Sequence, residues 1–236
     1  MSYTAESDEI RQKLLFFDQF CDAWSSEYRL RGGTIHCGKG CSGCCSLVVN
    51  CTGPEAALVA DRLTASQTSR LQAQIPLIQD CADRASSLKE WLSSYRQQAG
   101  PCPFLEQDGS CGIYQMRPIS CRSLIATKGS QWCTTDFAAL TATEKQAFME
   151  DLDRSVVAFP THYAATPQEM GQELELAILR AMERRYGYSL LGNLPWLVWL
   201  IHKHGAEQLL TTDAETVGHL LAAQGACSSY LTSISS

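Results

Sequence analysis

Four thiols fall within nine residues at Cys37-x3-Cys41-x2-Cys44-Cys45, in the stretch HCGKGCSGCC. Thiolates are nucleophiles and soft metal ligands, so a cluster this dense points to metal or redox chemistry before anything else. Gly38, Gly40 and Gly43 are interleaved with them. Ligands so close in sequence can converge on one centre only if the backbone turns tightly, which glycine permits. Bare amides can also approach and donate hydrogen bonds to sulfur. Lys39 places a positive charge beside the thiols and favours their ionisation. A second group, Cys102-x8-Cys111-x9-Cys121, lies in PCPFLEQDGSCGIYQMRPISCR. Its spacing is too wide for a lone CxxC knuckle and suits three ligands on successive short turns. Arg117 and Arg122 flank Cys121. A tetrathiolate zinc site, or an oxidised four-iron cluster with four thiolates, carries about two negative charges, which such arginines would offset.

Seven thiols exceed the four that one tetrahedral zinc takes. Either some are not ligands, or there are two sites, or the centre is a polynuclear cluster. Adjacent Cys44 and Cys45 point in different directions unless the chain kinks, so one can ligate while the other packs or serves a redox role. Cys51 and Cys133 stand at the edges and are weaker candidates. The chain has 12 cysteines in all. In an oxidising compartment they would read as a disulfide framework. MSYTAESDEIRQ, however, has acids and no apolar core where a secretory signal would stand, and the expectation is a cytoplasmic protein with free or metal-bound thiols. The longest apolar run, Leu194 to Ile201, is too short for a bilayer span of roughly 20 residues, so no membrane is expected. A net charge of -6 argues against nucleic acid.

The elements that must position these thiols read as helices. Ile10, Leu14, Phe17, Cys21, Trp24 and Tyr28 form one apolar face, with Ser7 as N-cap and Gly32-Gly33 as the stop. Thr52-Gly53-Pro54-Glu55 is a capping-box pattern and opens a helix running to about Leu71. A stripe of Ile78, Cys81, Ala85, Leu88, Leu92 and Tyr95 follows. Cys21 and Cys81 are expected in the core. Residues 99–135 carry too many glycines and prolines for a long helix and need something besides an apolar face to order them. Helical patterning resumes after Thr141, with Phe148, Leu152, Val156 and Phe159 ended by Pro160. It continues from a cap at Thr166 through Met170, Leu174 and Ile178, from Pro195 to Gly205, and from a cap at Thr212-Asp213. No strong strand alternation is visible, beyond room for a short two-stranded piece near the cysteine loops. His36 and His162 read as loop residues, and His202 and His204 as a helix C-terminus. Glu173, Glu175 and Glu183 read with Arg180, Arg184 and Arg185 as a solvated face. Trp196 and Trp199 read as core.

The order CxxxCxxCC, then Cys102-Pro103-Phe104-Leu105, Asp108-Gly109-Ser110-Cys111-Gly112-Ile113-Tyr114 and Arg117-Pro118-Ile119-Ser120-Cys121-Arg122, resembles the YkgJ-type cysteine-cluster family over roughly residues 35–125. Glu55 also fits that family's pattern. The resemblance implies a zinc- or iron-chelating protein and names no reaction. The flagellin lysine N-methylases are more distantly similar, through a CC element and a CPFL-type segment, and resemblance to them implies a four-iron cluster. This chain departs from them where Arg122-Ser123-Leu124 replaces a Tyr-Pro-Arg-like ending, and it has no glycine-rich loop for S-adenosylmethionine after a strand.

The expectation is a mainly α protein: a helical chain with a cysteine-rich, loop-rich metal-binding lobe within 1–135 and a helical region, 136–236, packed on it. Cys37, Cys41, Cys44, Cys45, Cys102, Cys111 and Cys121 form the ligand pool, four of them binding. An iron–sulfur cluster, 4Fe-4S, with a structural or redox role is favoured. A zinc-stabilised interaction module and a protein-modifying enzyme such as a lysine N-methylase-like protein are the alternatives. A protein partner or substrate is compatible with either.

Overall fold

A computed structural model describes residues 3–225 and 228–235; the side chains of 3–5 and all of Cys227 lie outside what it describes. Among the described residues the fold is mainly α, with eleven α-helices and one three-stranded antiparallel sheet. The long N-terminal helix α1 (Tyr3–Leu30) starts ahead of Ser7, which is therefore no cap. It buries Ile10, Leu14, Phe17 and Cys21 as its periodicity requires. β1 (Asn50–Thr52) leads directly into α2 (Gly53–Ala60), opened by the capping box between Thr52 and Glu55.

The helix expected to run to Leu71 is broken. Thr64 and Gln67 form a second capping box that starts α3 (Ala65–Arg84), so a turn at 61–64 intervenes. The next stripe is also divided, because α3 stops at Arg84 and α4 (Leu88–Ser94) has its own cap at Ser87. That cap rotates the buried face onto Trp91 and Tyr95, leaving Leu88 and Leu92 exposed. Short helices α5 (Ile119–Ser123) and α6 (Gln131–Thr134) punctuate the cysteine loops. α7 (Ala142–Glu150) ends before Leu152, whose segment forms turns instead. α8 (Ala165–Tyr186) starts before Thr166, which does not cap it, and stops at Gly187. β2 (Ser189–Asn193) runs into α9 (Leu194–His204), where Asn193 caps and Pro195 occupies the first turn. α10 (Ala206–Leu210), α11 (Ala214–Ala223, capped by Asp213) and β3 (Thr232–Ser235) complete the chain.

The sheet order is β1-β2-β3, with Cys51 opposite Gly192 and Leu190 opposite Ile234. It exceeds the two-stranded piece allowed from sequence. β2 is buried on nearly every residue, so it carries no alternation to detect. Through β2 the C-terminal chain is stitched to β1, immediately downstream of the first cysteine group. α9 packs on α2 and α3, and α8 packs on α5 and α1. One large apolar core joins Ala57, Val59 and Ile78 to Trp196, Leu197 and Leu200, while a second gathers Phe17, Ile119 and Ile178. Gly171 permits the close approach of α8: a Cβ there would sit 3.2 Å from Phe17, Ile119 and Ser123. No helix among the described residues is long and apolar enough to cross a membrane.

Candidate metal centre

The two cysteine segments are joined by backbone before any metal is considered. The Cys102 amide donates to the Cys45 carbonyl at 2.8 Å. From Cys102 the chain folds into a tight reversal. Gly112 N–H reaches Phe104 O at 2.8 Å, Glu106 N–H reaches Ser110 O at 2.8 Å, and Gly109 takes a φ of 79° at the tip. Asp108 Oδ1 accepts from the Ser110 amide at 2.9 Å, closing the turn. The tip approaches the first segment, where a Cβ on Gly109 would lie 3.1 Å from Gly40 O.

Phe104 and Ile113 anchor this loop in the main apolar core, and polar side chains from α3 add to that hold. Arg70 donates through Nε to Pro103 O at 2.8 Å and pairs with Glu106 at 3.0 Å, and Gln74 donates to Ala99 O at 2.8 Å and to Pro101 O at 2.9 Å. Gln67 Nε2 adds a bond to Glu106 at 3.1 Å.

Glu55 makes the third link. It is fully buried, and its Oε2 accepts from Thr52 N–H at 2.9 Å and Thr52 Oγ1 at 2.8 Å. Its Oε1 accepts from Ile119 N–H at 2.9 Å, two residues before Cys121. One carboxylate thus caps α2 and fastens the start of α5. Burial pushes its carboxyl up, and the Ile119 and Thr52 donors hold it partly back.

The result is a cavity of about 490 Å³ lined by Cys41, Cys44, Cys45, Cys102, Cys111 and Cys121, three thiols from each segment. The seventh candidate, Cys37, does not line it. Its exposed residue turns Sγ toward the Ala126 amide at 3.2 Å and the Leu124 carbonyl at 3.5 Å. All eleven described cysteines are free thiols, and Cys21, Cys51 and Cys81 are buried. Among the described residues, no group of three or more His, Cys, Asp or Glu is arranged to hold one metal ion.

Burial pushes the thiols of Cys102, Cys111 and Cys121 above their usual range, and each is raised further by Cys44. Cys44 itself is raised first by its hydrogen bond with Cys45 and then by burial. Ionised thiols this close repel one another, and a bound cation would relieve that repulsion. Two amides oppose it: Phe104 N–H donates to Cys102 and Ile113 N–H to Cys111. Each donor lies two residues after its cysteine, the turn geometry expected of the wide spacing.

The two arginines flanking Cys121 do different work. Arg117 lines the cavity, stacks over Tyr114 at 4.3 Å and lowers Cys111 and Cys121. Arg122 faces away from the cavity. Its buried guanidinium is spent on Arg117 O at 2.5 Å, Gln115 O at 2.8 Å and Asp18 of α1. It is a staple for the turn, with a weaker electrostatic reach. Lys39 lines the cavity, and Tyr95, Leu194 and Pro195 supply its apolar wall.

Residues 36–147 match the family model CxxCxxCC, described as a "Putative zinc- or iron-chelating domain". That stretch, just under half of the chain, is similar to this domain. No curated protein and no solved structure matches the chain. The match supports metal binding, and the six cavity thiols are the most concentrated donor set among the described residues. The wall residues Leu194 and Pro195 lie outside the matched span, so the cysteine-lined cavity is closed by α9.

Two features near the domain's thiols escaped the sequence. His162, read as a loop residue, is buried at 3% exposure with Nε2 3.3 Å from Cys133 Sγ. Glu175, read as part of a solvated face, turns inward instead and accepts a short hydrogen bond from Ser120. Burial, followed by the charge of Glu55, raises the Glu175 carboxyl to about 7. A carboxyl raised on folding stabilises the fold below its unfolded value and loses that contribution as pH rises through the folded value. The denaturant midpoint of metal-free protein should therefore fall between pH 4.5 and about 7. Glu175→Gln should flatten that part of the profile. Parallel profiles for the two proteins would show that Glu175 does not titrate in this window.

Proposed function

We propose that this protein holds a polynuclear iron–sulfur centre, a 4Fe-4S cluster, between its two cysteine segments, in a structural or redox role. The observation that carries this reading is the set of six thiols, three from each segment, that lines one cavity of about 490 Å³. A tetrahedral zinc with Zn–S of about 2.3 Å requires its sulfurs to stand about 3.8 Å apart. A cube of iron and sulfide binds each thiolate at a different iron and needs the sulfurs spread around a volume. Six thiols line the cavity for four positions, and Cys44, Cys102, Cys111 and Cys121 are the favoured ligands, because Cys44 is the first-segment thiol that acts on all three thiols of the second segment.

When bound, such a cluster supplies one-electron redox capacity and four coordinate bonds. The chain's own contribution is to set its environment. Lys39 and Arg117 offset negative charge, the Phe104 and Ile113 amides stabilise thiolates, and the Tyr95–Leu194–Pro195 wall limits water. These are the levers that tune cluster potential. The thiols must lose protons to bind, so metal capture should strengthen with rising pH.

The deciding experiment is anaerobic purification with metal and sulfide analysis. A brown protein absorbing at roughly 400 nm, with iron and acid-labile sulfide in equal amounts, is the expected result. Colourless protein carrying stoichiometric zinc would replace the cluster with a zinc-stabilised module.

A further inference from the structure

A second cavity, of about 440 Å³, lies on the other side of Leu47, which lines both. Its wall is built from Trp132, Phe137, Phe148, Met149, Pro160 and Tyr163. The rings are packed against one another, with Trp132 4.6 Å and Phe137 4.7 Å from Phe148, so the wall is pre-formed. Its buried end carries the Cys133–His162 contact at 3.3 Å. That end abuts the first cysteine segment, where only glycine fits at position 43: a Cβ there would come 2.9 Å from Cys133 Cβ. Half-exposed Lys145 and Arg96 line it, Arg96 already donating through Nη1 to the Thr135 carbonyl, and no aspartate or glutamate is among the lining residues.

We propose that this cavity binds a small organic acid, its apolar body among the aromatic rings and its carboxylate toward Lys145 and Arg96. A concave, largely apolar space of this size with a few polar groups has the make-up of a ligand site. The charge pattern selects the head group, because the chain is acidic overall while this lining is cationic only. Burial lowers His162 to about 4, so its imidazole is neutral at physiological pH and adds a polar contact without a third positive charge. Cys133 marks the deep end with a reporter thiol. The assignment is independent of what fills the cysteine-lined cavity.

Three isosteric probes test it on the full chain as purified: octanoate, octanol and octylammonium, titrated by calorimetry. Octanoate should bind saturably and about tenfold more tightly than octylammonium, with octanol between them. Lys145→Glu, a half-exposed site on α7, should invert that order. Saturating octanoate should also slow alkylation of Cys133 about tenfold, read by peptide mass analysis. Equal binding of all three probes, an order unchanged by Lys145→Glu, or undiminished Cys133 alkylation would each overturn the proposal.

Discussion

Cys44→Ser is expected to empty the metal centre, and Cys37→Ser is expected to leave it nearly full. Both residues belong to the same CxxxCxxCC motif, and sequence spacing treats them alike. Cys44 lines the cavity and raises the thiols of Cys102, Cys111 and Cys121, which places its sulfur within the field of three thiols from the other segment. Cys37 is outside the lining and satisfied by the Ala126 amide and the Leu124 carbonyl. Serine keeps the size of cysteine but replaces a soft thiolate with a hard alcohol that does not ionise near neutrality. Metal per chain, measured after anaerobic purification, should fall about tenfold or more for Cys44→Ser and by less than about twofold for Cys37→Ser. Cys102→Ser and Cys121→Ser should behave as Cys44→Ser does. Full metal loss in Cys37→Ser together with full retention in Cys44→Ser would mean that the cavity is not the binding place.

Glu55→Ala should cost about 4 kcal/mol of stability, a large share of a domain's total of roughly 5–15. The side chain has no solvent exposure and satisfies three donors, the Thr52 amide, the Thr52 hydroxyl and the Ile119 amide. Alanine orphans all three in a dry interior, and a buried unsatisfied donor costs about 1–3 kcal/mol. Glutamine should cost about half as much, because its single carbonyl oxygen can serve either Thr52 or Ile119 while its amide faces the other donor. Chemical denaturation of the metal-free protein measures this without ligand linkage. The metal-loaded protein supplies a second readout, since freeing Ile119 lets Cys121 drift and should raise the metal dissociation rate. An Ala variant as stable as wild type would show that α5 is positioned by packing alone.

Residues whose chemistry is local were legible. The six thiols that line the cavity could be picked out because cysteine type, close spacing and turn residues all lie on short stretches. The Thr52–Glu55 capping box was readable for the same reason. The second duty of Glu55, on Ile119, bridges 64 positions and leaves no local mark. His162 looks like any loop histidine until the fold seals it against Cys133. β2 was missed because a strand buried on both sides shows neither alternation nor a helical period. The break at 61–64 was the most accessible miss, since Thr64 and Gln67 repeat the pattern already recognised at Thr52. Arg122 was assigned to charge compensation from its neighbour in sequence; it keeps part of that role toward Cys111, and burial with three oxygen partners makes it a strut as well.

The wall contributed by Leu194 and Pro195 means that the cysteine motif is not a portable cassette. Grafting residues 36–147 onto another scaffold would transplant all six cavity thiols yet leave one flank of the pocket facing bulk water. With the proposed cluster, such a graft should assemble in strictly oxygen-free buffer and bleach in air far sooner than the parent chain, with α9 acting as the shutter.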